Sequence, residues 1–203
     1  MFSHEPFVLG QYEIDCHELM FVQYMPIAMP GRSFRLPPNL MCFMPLLEAI
    51  QVGEIDPFDY VYLTAKRLFV GPNCLGNRPG WHTDGFGTDD INYIWSDALP
   101  TEFCVNQHFD LCDDHEVSMR QMEEQASPAN IKTYPAGSLL KLDSTVVHRC
   151  AQPATEGYRT FVKISASRDR YNLTGNAHNY LFDYDWPMVE RKASRNHPVG
   201  VDA

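Results

Sequence analysis

Fifteen prolines are spread over 203 residues, and they set the first limit on what this chain can fold into. Proline has no amide hydrogen and clashes with the preceding helical turn, so a chain broken this often cannot build long helices. Short β-branched and aromatic runs lie between the breaks. Residues 58–70 (FDYVYLTAKRLFV) predict a strand or strand pair, followed by INYIW at 91–95, EFCVNQ at 102–107 and IKTY at 131–134. SLLKL at 138–142, TVVHRC at 145–150 and YRTFVKISA at 158–166 continue the series. Closely spaced strands with turn residues between them predict a mostly β sandwich or barrel with flanking helices. Two helices are expected. Residues 38–52 make one, interrupted or started by Pro45, and residues 113–126 the other, with Asp113 as cap and Glu116 closing a capping box. The tail from Tyr171 alternates polar and aromatic residues and is a candidate cover for an open barrel end.

Composition fits a single domain over residues 1–203. The apolar fraction is 44%, ordinary for a globular protein, and the length allows one sizeable core. A formal charge of −10 repels phosphate backbones, so nucleic acid is not the favoured partner. Arg168, Arg170, Arg191, Lys192 and Arg195 are expected as solvated surface. No stretch approaches the roughly 18–20 apolar residues that span a bilayer, and the opening MFSHEPFVLGQYEID lacks the basic and apolar regions of a signal peptide. Cysteines at 16, 42, 74, 104, 112 and 150 form no CxxC pair, which suggests reduced thiols and a cytoplasmic location.

The chemistry resides in His82-Thr83-Asp84 and His148. Residues i and i+2 at a strand end leave on the same side, so one imidazole and one carboxylate can meet a metal together. A second imidazole from a strand that folds back completes a facial set of two histidines and a carboxylate, the set that suits non-haem Fe(II) and leaves its remaining positions open. His-x-Asp alone is weak, and the chain holds a second copy, His108-Phe109-Asp110. Topology separates them. A double-stranded β-helix needs four strands between the His-x-Asp strand and the one with the last histidine. Four candidates lie between Asp84 and His148; only two lie between Asp110 and His148, because the expected helix fills the interval.

These segments together resemble the Fe(II)- and 2-oxoglutarate-dependent oxygenase family. PGWHTDGFG is similar to the segment around that family's first ligands. Pro135-Ala136-Gly137-Ser138-Leu139-Leu140-Lys141-Leu142-Asp143, followed by Val147-His148-Arg149, is similar to its approach to the second histidine. Gly157-Tyr158-Arg159-Thr160-Phe161 resembles its Gly-x-Arg strand. The resemblance covers residues 58–166 and implies a double-stranded β-helix (jelly roll) with Fe(II) held by His82, Asp84 and His148. It further implies 2-oxoglutarate as cosubstrate, dioxygen as oxidant, and hydroxylation or oxidative demethylation of an unidentified substrate with release of succinate and CO2. Arg159 is the expected partner of the cosubstrate's distal carboxylate, because a guanidinium forks onto a carboxylate with two charge-assisted bonds. Lys163, on the same strand face, competes for that role, and Tyr93 is a candidate hydroxyl donor to it. No further catalytic residue is expected beyond the iron site.

Two other readings stand beside this one: a cupin-like metalloenzyme that uses no keto acid, and a noncatalytic ligand-binding jelly roll. Cys104, His108, Cys112 and His115 form C-x3-H-x3-C-x2-H, but lie along one stripe or face rather than around a centre, so a structural zinc is not expected. Cys150 should point to the same side as His148, near the metal or as barrel filling. Phe86, Tyr93 and Trp95 are expected as core aromatics before pocket walls. His4, His17, His178 and His197 are assigned no role.

Overall fold

The computed structural model describes residues 1–50, 55, 60–153 and 155–191. Residues 51–52 of the expected first helix, residues 58–59 of the expected first strand, Ala154, Lys192, Arg195 and His197 lie outside the described residues. Among those described, strands dominate and pair antiparallel. Three short strands open the chain, β1 (Phe2–Ser3), β2 (Phe7–Gln11) and β3 (Met20–Ala28). A 3₁₀ segment, Pro38–Phe43, runs into helix α1 (Met44–Ala49), so Pro45 starts the helix rather than breaking it. Next come β4 (Tyr60–Val70), β5 (Ile91–Ser96), β6 (Glu102–Cys104) and β7 (Gln107–His108). Helix α2 (His115–Gln125) precedes β8 (Ile131–Thr133), β9 (Ser138–Leu142), β10 (His148–Arg149) and β11 (Gly157–Ser167).

Six strands form one sheet in the order β2-β9-β5-β11-β4-β3, and three form another in the order β10-β6-β8. The backbone of the large sheet is the β4–β11 pair, in register over eleven residues from Val70 opposite Gly157 to Tyr60 opposite Ser167. Side chains alternate across a strand, so this pairing gives two different faces. Val61, Leu63, Ala65, Val162 and Ile164 turn to the outer face and pack in one cluster with Leu40, Phe43 and Leu46 of the helical segment. On the inner face Ile94, Leu140 and Leu142 meet Phe103 of the small sheet, which fixes the two sheets against each other at one end. Helix α2 covers the outside of the small sheet, where Met122 packs with Cys104, Phe109 and Val147. Cores of this kind lose about 3–5 kcal/mol when a buried Phe is cut to Ala. Among the described residues no helix is long and apolar enough to cross a membrane.

Local chemistry explains where the elements start and stop. Gly137 (φ +84°) turns the chain into β9, and a Cβ there would lie 3.2 Å from the Tyr12 carbonyl, so the turn requires glycine. The strand expected over 145–150 contracts to His148–Arg149. The Asp143 carboxylate accepts from the Thr145 amide (2.8 Å) and hydroxyl (2.7 Å), folding 143–146 into a turn before the strand begins. The cap of α2 is Asp114 instead of Asp113: its Oδ1 accepts from the Val117 amide at 2.8 Å. Glu116 stands in the first turn but one position too early to close the expected box. Asp114→Ala should therefore cost about 1 kcal/mol in urea unfolding, the usual worth of such a cap, and Asp113→Ala should leave the midpoint unchanged.

Candidate metal centre

The site is built on a backbone pairing. His82 and His148 stand directly opposite each other in an isolated antiparallel bridge, with the His82 amide donating to the His148 carbonyl (2.9 Å) and the reverse bond at 2.8 Å. Directly opposed residues project to the same side of a sheet, so the two imidazoles stand together, ring centroids 4.6 Å apart. Asp84 lies two residues beyond His82 and returns its carboxylate to the same place. Its Oδ2 is 3.6 Å from His148 Nε2, and one donor atom from each of the three side chains lies within 4.8 Å of the others. Gly85 (φ +71°) makes this return possible; a Cβ there would come within 2.9 Å of Thr88 Oγ1 and 3.0 Å of the Asp90 Cβ.

The donor set fits a divalent transition metal on a specific ground. His82 Nδ1 is 2.9 Å from the Gly80 carbonyl, and His148 Nδ1 is 3.0 Å from the Val146 carbonyl. A carbonyl can only accept, so both Nδ1 atoms carry the proton and both Nε2 lone pairs are left for a metal. Burial, with the adjacent His148, pushes the His82 imidazole down to about 3, which keeps it in the neutral, ligating form. The Asp84 oxygens divide their work. Oδ2 faces His148, while Oδ1 accepts from Lys163 Nζ at 2.9 Å. Burial raises the Asp84 carboxyl, but the Lys163 ammonium beside it overcomes this and holds the group well below the usual carboxylate range.

Lys163 also donates to the Tyr24 hydroxyl at 2.9 Å. Tyr24 reaches this position by an irregularity: β3 carries a register shift between Val22 and Met25, and Tyr24 adopts φ +46°. A bulge of this kind re-aims a side chain, and a left-handed tyrosine is a strained residue held by its surroundings, here in part by Thr64 Oγ1 accepting from its amide at 3.1 Å.

The three donors open on a cavity of about 740 Å³ between the sheets. Thr64, Lys66, Asn92, Ile94, Phe161 and Lys163 line it from the inner face of the large sheet, and Asp113 and Phe86 contribute from the loops. Tyr171 and Arg191 of the tail also reach it, so the tail borders the cavity. Lys66 lies on β4; burial first, then the charges of Lys163 and Arg159, lower its ammonium to about 8. Arg159 is on the same inner face, buried, with its guanidinium carbon 5.0 Å from the Phe161 ring centroid. Its Nε donates to the Ala98 and Leu99 carbonyls (3.0 and 3.2 Å), and its Nη2 is buried with no partner among the described residues; Arg159 itself lies behind Phe161 and does not line the cavity. Tyr93 does not join this group. It is buried on the outer face among the α1-side core residues, opposite to Lys163, so the expected hydroxyl contact to a cosubstrate is corrected. Trp95 is core on that same face.

The other candidates stay apart. His108 is exposed on β7, which pairs with β1, and Asp110 is exposed beyond it. Cys104 is buried and donates to Gln107 Oε1 at 3.3 Å, whereas Cys112 is exposed. Among the described residues, the His82, Asp84 and His148 group alone meets the requirements of a metal site. Cys150 lines the cavity and donates to the Leu75 carbonyl at 3.6 Å. Comparison with protein-family models finds none that matches the chain, and comparison with curated proteins finds no similar sequence.

Alanine at His82, Asp84 or His148 should abolish the ligand-field spectrum of bound Co(II) while the far-UV circular dichroism is retained. His108→Ala and Asp110→Ala should bind Co(II) as the parent chain does. Loss of binding in the second pair but not in the first would exchange the two sites.

Proposed function

We propose that this chain is an Fe(II)- and 2-oxoglutarate-dependent oxygenase that takes an unidentified substrate into the 740 Å³ cavity and hydroxylates it, or demethylates it through hydroxylation. In the balanced reaction, substrate, dioxygen and 2-oxoglutarate give hydroxylated substrate, succinate and CO2. One observation carries the proposal: two imidazoles with tied Nδ1 atoms and a carboxylate converge on a cavity, while a buried guanidinium, its Nη2 without a partner among the described residues, lies on the same inner face. Bound Fe(II) would supply the activation of dioxygen and the oxidation itself.

The rest follows from the chain's own residues. His82, Asp84 and His148 would hold the metal on one side and leave the opposite side to ligands. Lys163 compensates the Asp84 charge within the cavity wall. The distal carboxylate of the keto acid would pair with Arg159, with Lys66 adding positive charge nearby, and Phe161 between Arg159 and Lys163 would keep that stretch dry. The double-stranded β-helix belongs to the same reading. The chain crosses repeatedly between the sheets: β4 lies in the large one, His82 bridges to β10 of the small one, β5 returns to the large one, β6 and β8 both lie in the small one, and β9, β10 and β11 then alternate. A reducing cytoplasm also fits, since all six cysteines are free thiols.

Anaerobic addition of 2-oxoglutarate to the Fe(II) protein should produce the visible charge-transfer band of the chelate, and absence of any 2-oxoglutarate dependence would sink the reading. Removing one forked, buried charge pair costs about 3–5 kcal/mol, or two orders of magnitude and more at about 1.4 kcal/mol per tenfold. Arg159→Ala should raise the 2-oxoglutarate requirement by that factor with little change in Fe(II) affinity. Lys163→Ala should move it much less, and a reversed ranking would transfer the anchor to Lys163.

A further inference from the structure

Six aromatic rings lead away from the metal centre, and their contacts do more than fill space. Lys163 Nζ joins the Asp84 carboxylate to the Tyr24 hydroxyl, with 2.9 Å on each side. The Tyr24 ring meets Tyr171 edge-on at 5.4 Å between centroids, and Tyr171 stacks on Tyr62 at 4.1 Å with the planes 8° apart. Tyr62 neighbours Tyr60 at 6.0 Å, Tyr60 meets Trp186 at 5.8 Å, and Trp186 meets Tyr184 at 4.6 Å. Exposure changes along the row. Tyr62 and Tyr171 are buried, while Tyr60, Trp186 and Tyr184 are half-exposed. The row thus runs from the metal ligand to solvent with every ring in contact with the next.

One ring has a base of its own. The Tyr171 hydroxyl donates to Asp90 Oδ2 at 2.6 Å, and both residues are almost fully buried. Phenols are hard to oxidise while they keep their proton, because the radical cation is a very strong acid. A carboxylate at hydrogen-bond distance removes that obstacle. Tyr62 is different: its hydroxyl donates to the Asp169 carbonyl at 2.9 Å, and a carbonyl does not take a proton. Burial and the Asp90 charge also hold the Tyr171 phenol well above its usual range, so it keeps its proton until an electron leaves.

We propose that Tyr171, with Asp90 as proton acceptor, is a redox-active tyrosine that discharges an oxidant formed at the metal centre when no substrate receives it. The metal end of this device rests on the function proposed above. In the forward step Tyr171 would give one electron to the dioxygen-derived oxidant that Fe(II) held by His82, Asp84 and His148 would supply, and its phenolic proton to Asp90. The products are a neutral tyrosyl radical, a protonated Asp90 and an oxidant reduced by one electron. In the return step an external reductant of the thiol or ascorbate class gives one electron at Trp186, the stacked rings of Tyr60 and Tyr62 pass it inward, and the proton returns from Asp90 to Tyr171. A two-electron oxidant takes two such cycles. The cavity wall is thereby spared from hydroxylation.

The test separates the tyrosine from the metal. Metal-free protein is oxidised by flash-quench with a ruthenium polypyridyl complex in solution and read by electron paramagnetic resonance. The expected result is a neutral tyrosyl radical that disappears in Tyr171→Phe and in Asp90→Asn, and that forms more slowly in Trp186→Leu, with far-UV circular dichroism checking that each variant keeps the fold. An unchanged radical in all three variants overturns the assignment whatever the metal does. The Fe(II)-loaded protein is then treated with hydrogen peroxide, without keto acid, and its oxidised residues are mapped by mass spectrometry. The same radical is expected, with oxidation shifting onto Phe161 and other cavity residues in Tyr171→Phe. A loaded protein without the radical overturns the link to the metal centre, and a protein that binds no Fe(II) overturns the link together with the proposed function, while the first arm reports separately on Tyr171.

Discussion

The reciprocal pair of backbone hydrogen bonds between His82 and His148 is the constraint on which the rest depends. It is a single bridge between the loop that carries His82 and the short strand β10, yet it fixes the relative position of two side chains sixty-six residues apart in sequence. Everything that surrounds it serves to hold it. Phe103 pairs with His148 across β6 and β10, and its buried ring joins the small sheet to Ile94 and Leu140 of the large one. Trp81, next to His82, is buried under α2 with Val147, next to His148. Each histidine is thus flanked by an apolar residue facing the other way, and the alternation of the strand keeps the polar donors toward the cavity.

Much of this was legible in the sequence, for physical reasons that differ between elements. Turn residues mark the strands between Asp84 and His148, but there are five rather than the expected four: the EFCVNQ run breaks at Asn106 (φ +55°) into β6 and the two-residue β7, which pairs with β1 outside the two larger sheets. The two-residue spacing of His82 and Asp84 survives in three dimensions because it depends only on side-chain alternation. Tyr93 was misplaced for an equally definite reason. From Tyr93 to Trp95 both faces of β5 are buried, so apolar residues follow one another and the pattern does not tell inside from outside. The cap of α2 differs by one position from the expected one because Asp113 and Asp114 are chemically equal candidates, and it is Asp114 whose carboxylate accepts from the Val117 amide.

Tyr24 was beyond reach. Its side chain enters the cavity through a bulge and a left-handed backbone, which a regular strand pattern cannot foretell. Lys66 and Lys163 were more accessible, since a lysine in the middle of an otherwise apolar strand is costly to bury and calls for a partner. Lys163 finds one in Asp84, and Lys66 donates to the Gly76 carbonyl and Asn77 Oδ1 at 3.3 Å.

The Lys163–Asp84 pair has a consequence for how the metal is acquired. A carboxylate in a cavity wall must be neutralised whether or not a cation is bound, and in many small metalloproteins the ion alone does this, so the empty chain unfolds. Here the Lys163 ammonium on β11 pairs with Asp84 Oδ1 and leaves Oδ2 facing His148. The free energy of metal capture would then not be consumed in ordering the polypeptide. A site of this kind would act as a receptacle that can be emptied and refilled, and its affinity would report on the three donors rather than on the stability of the fold.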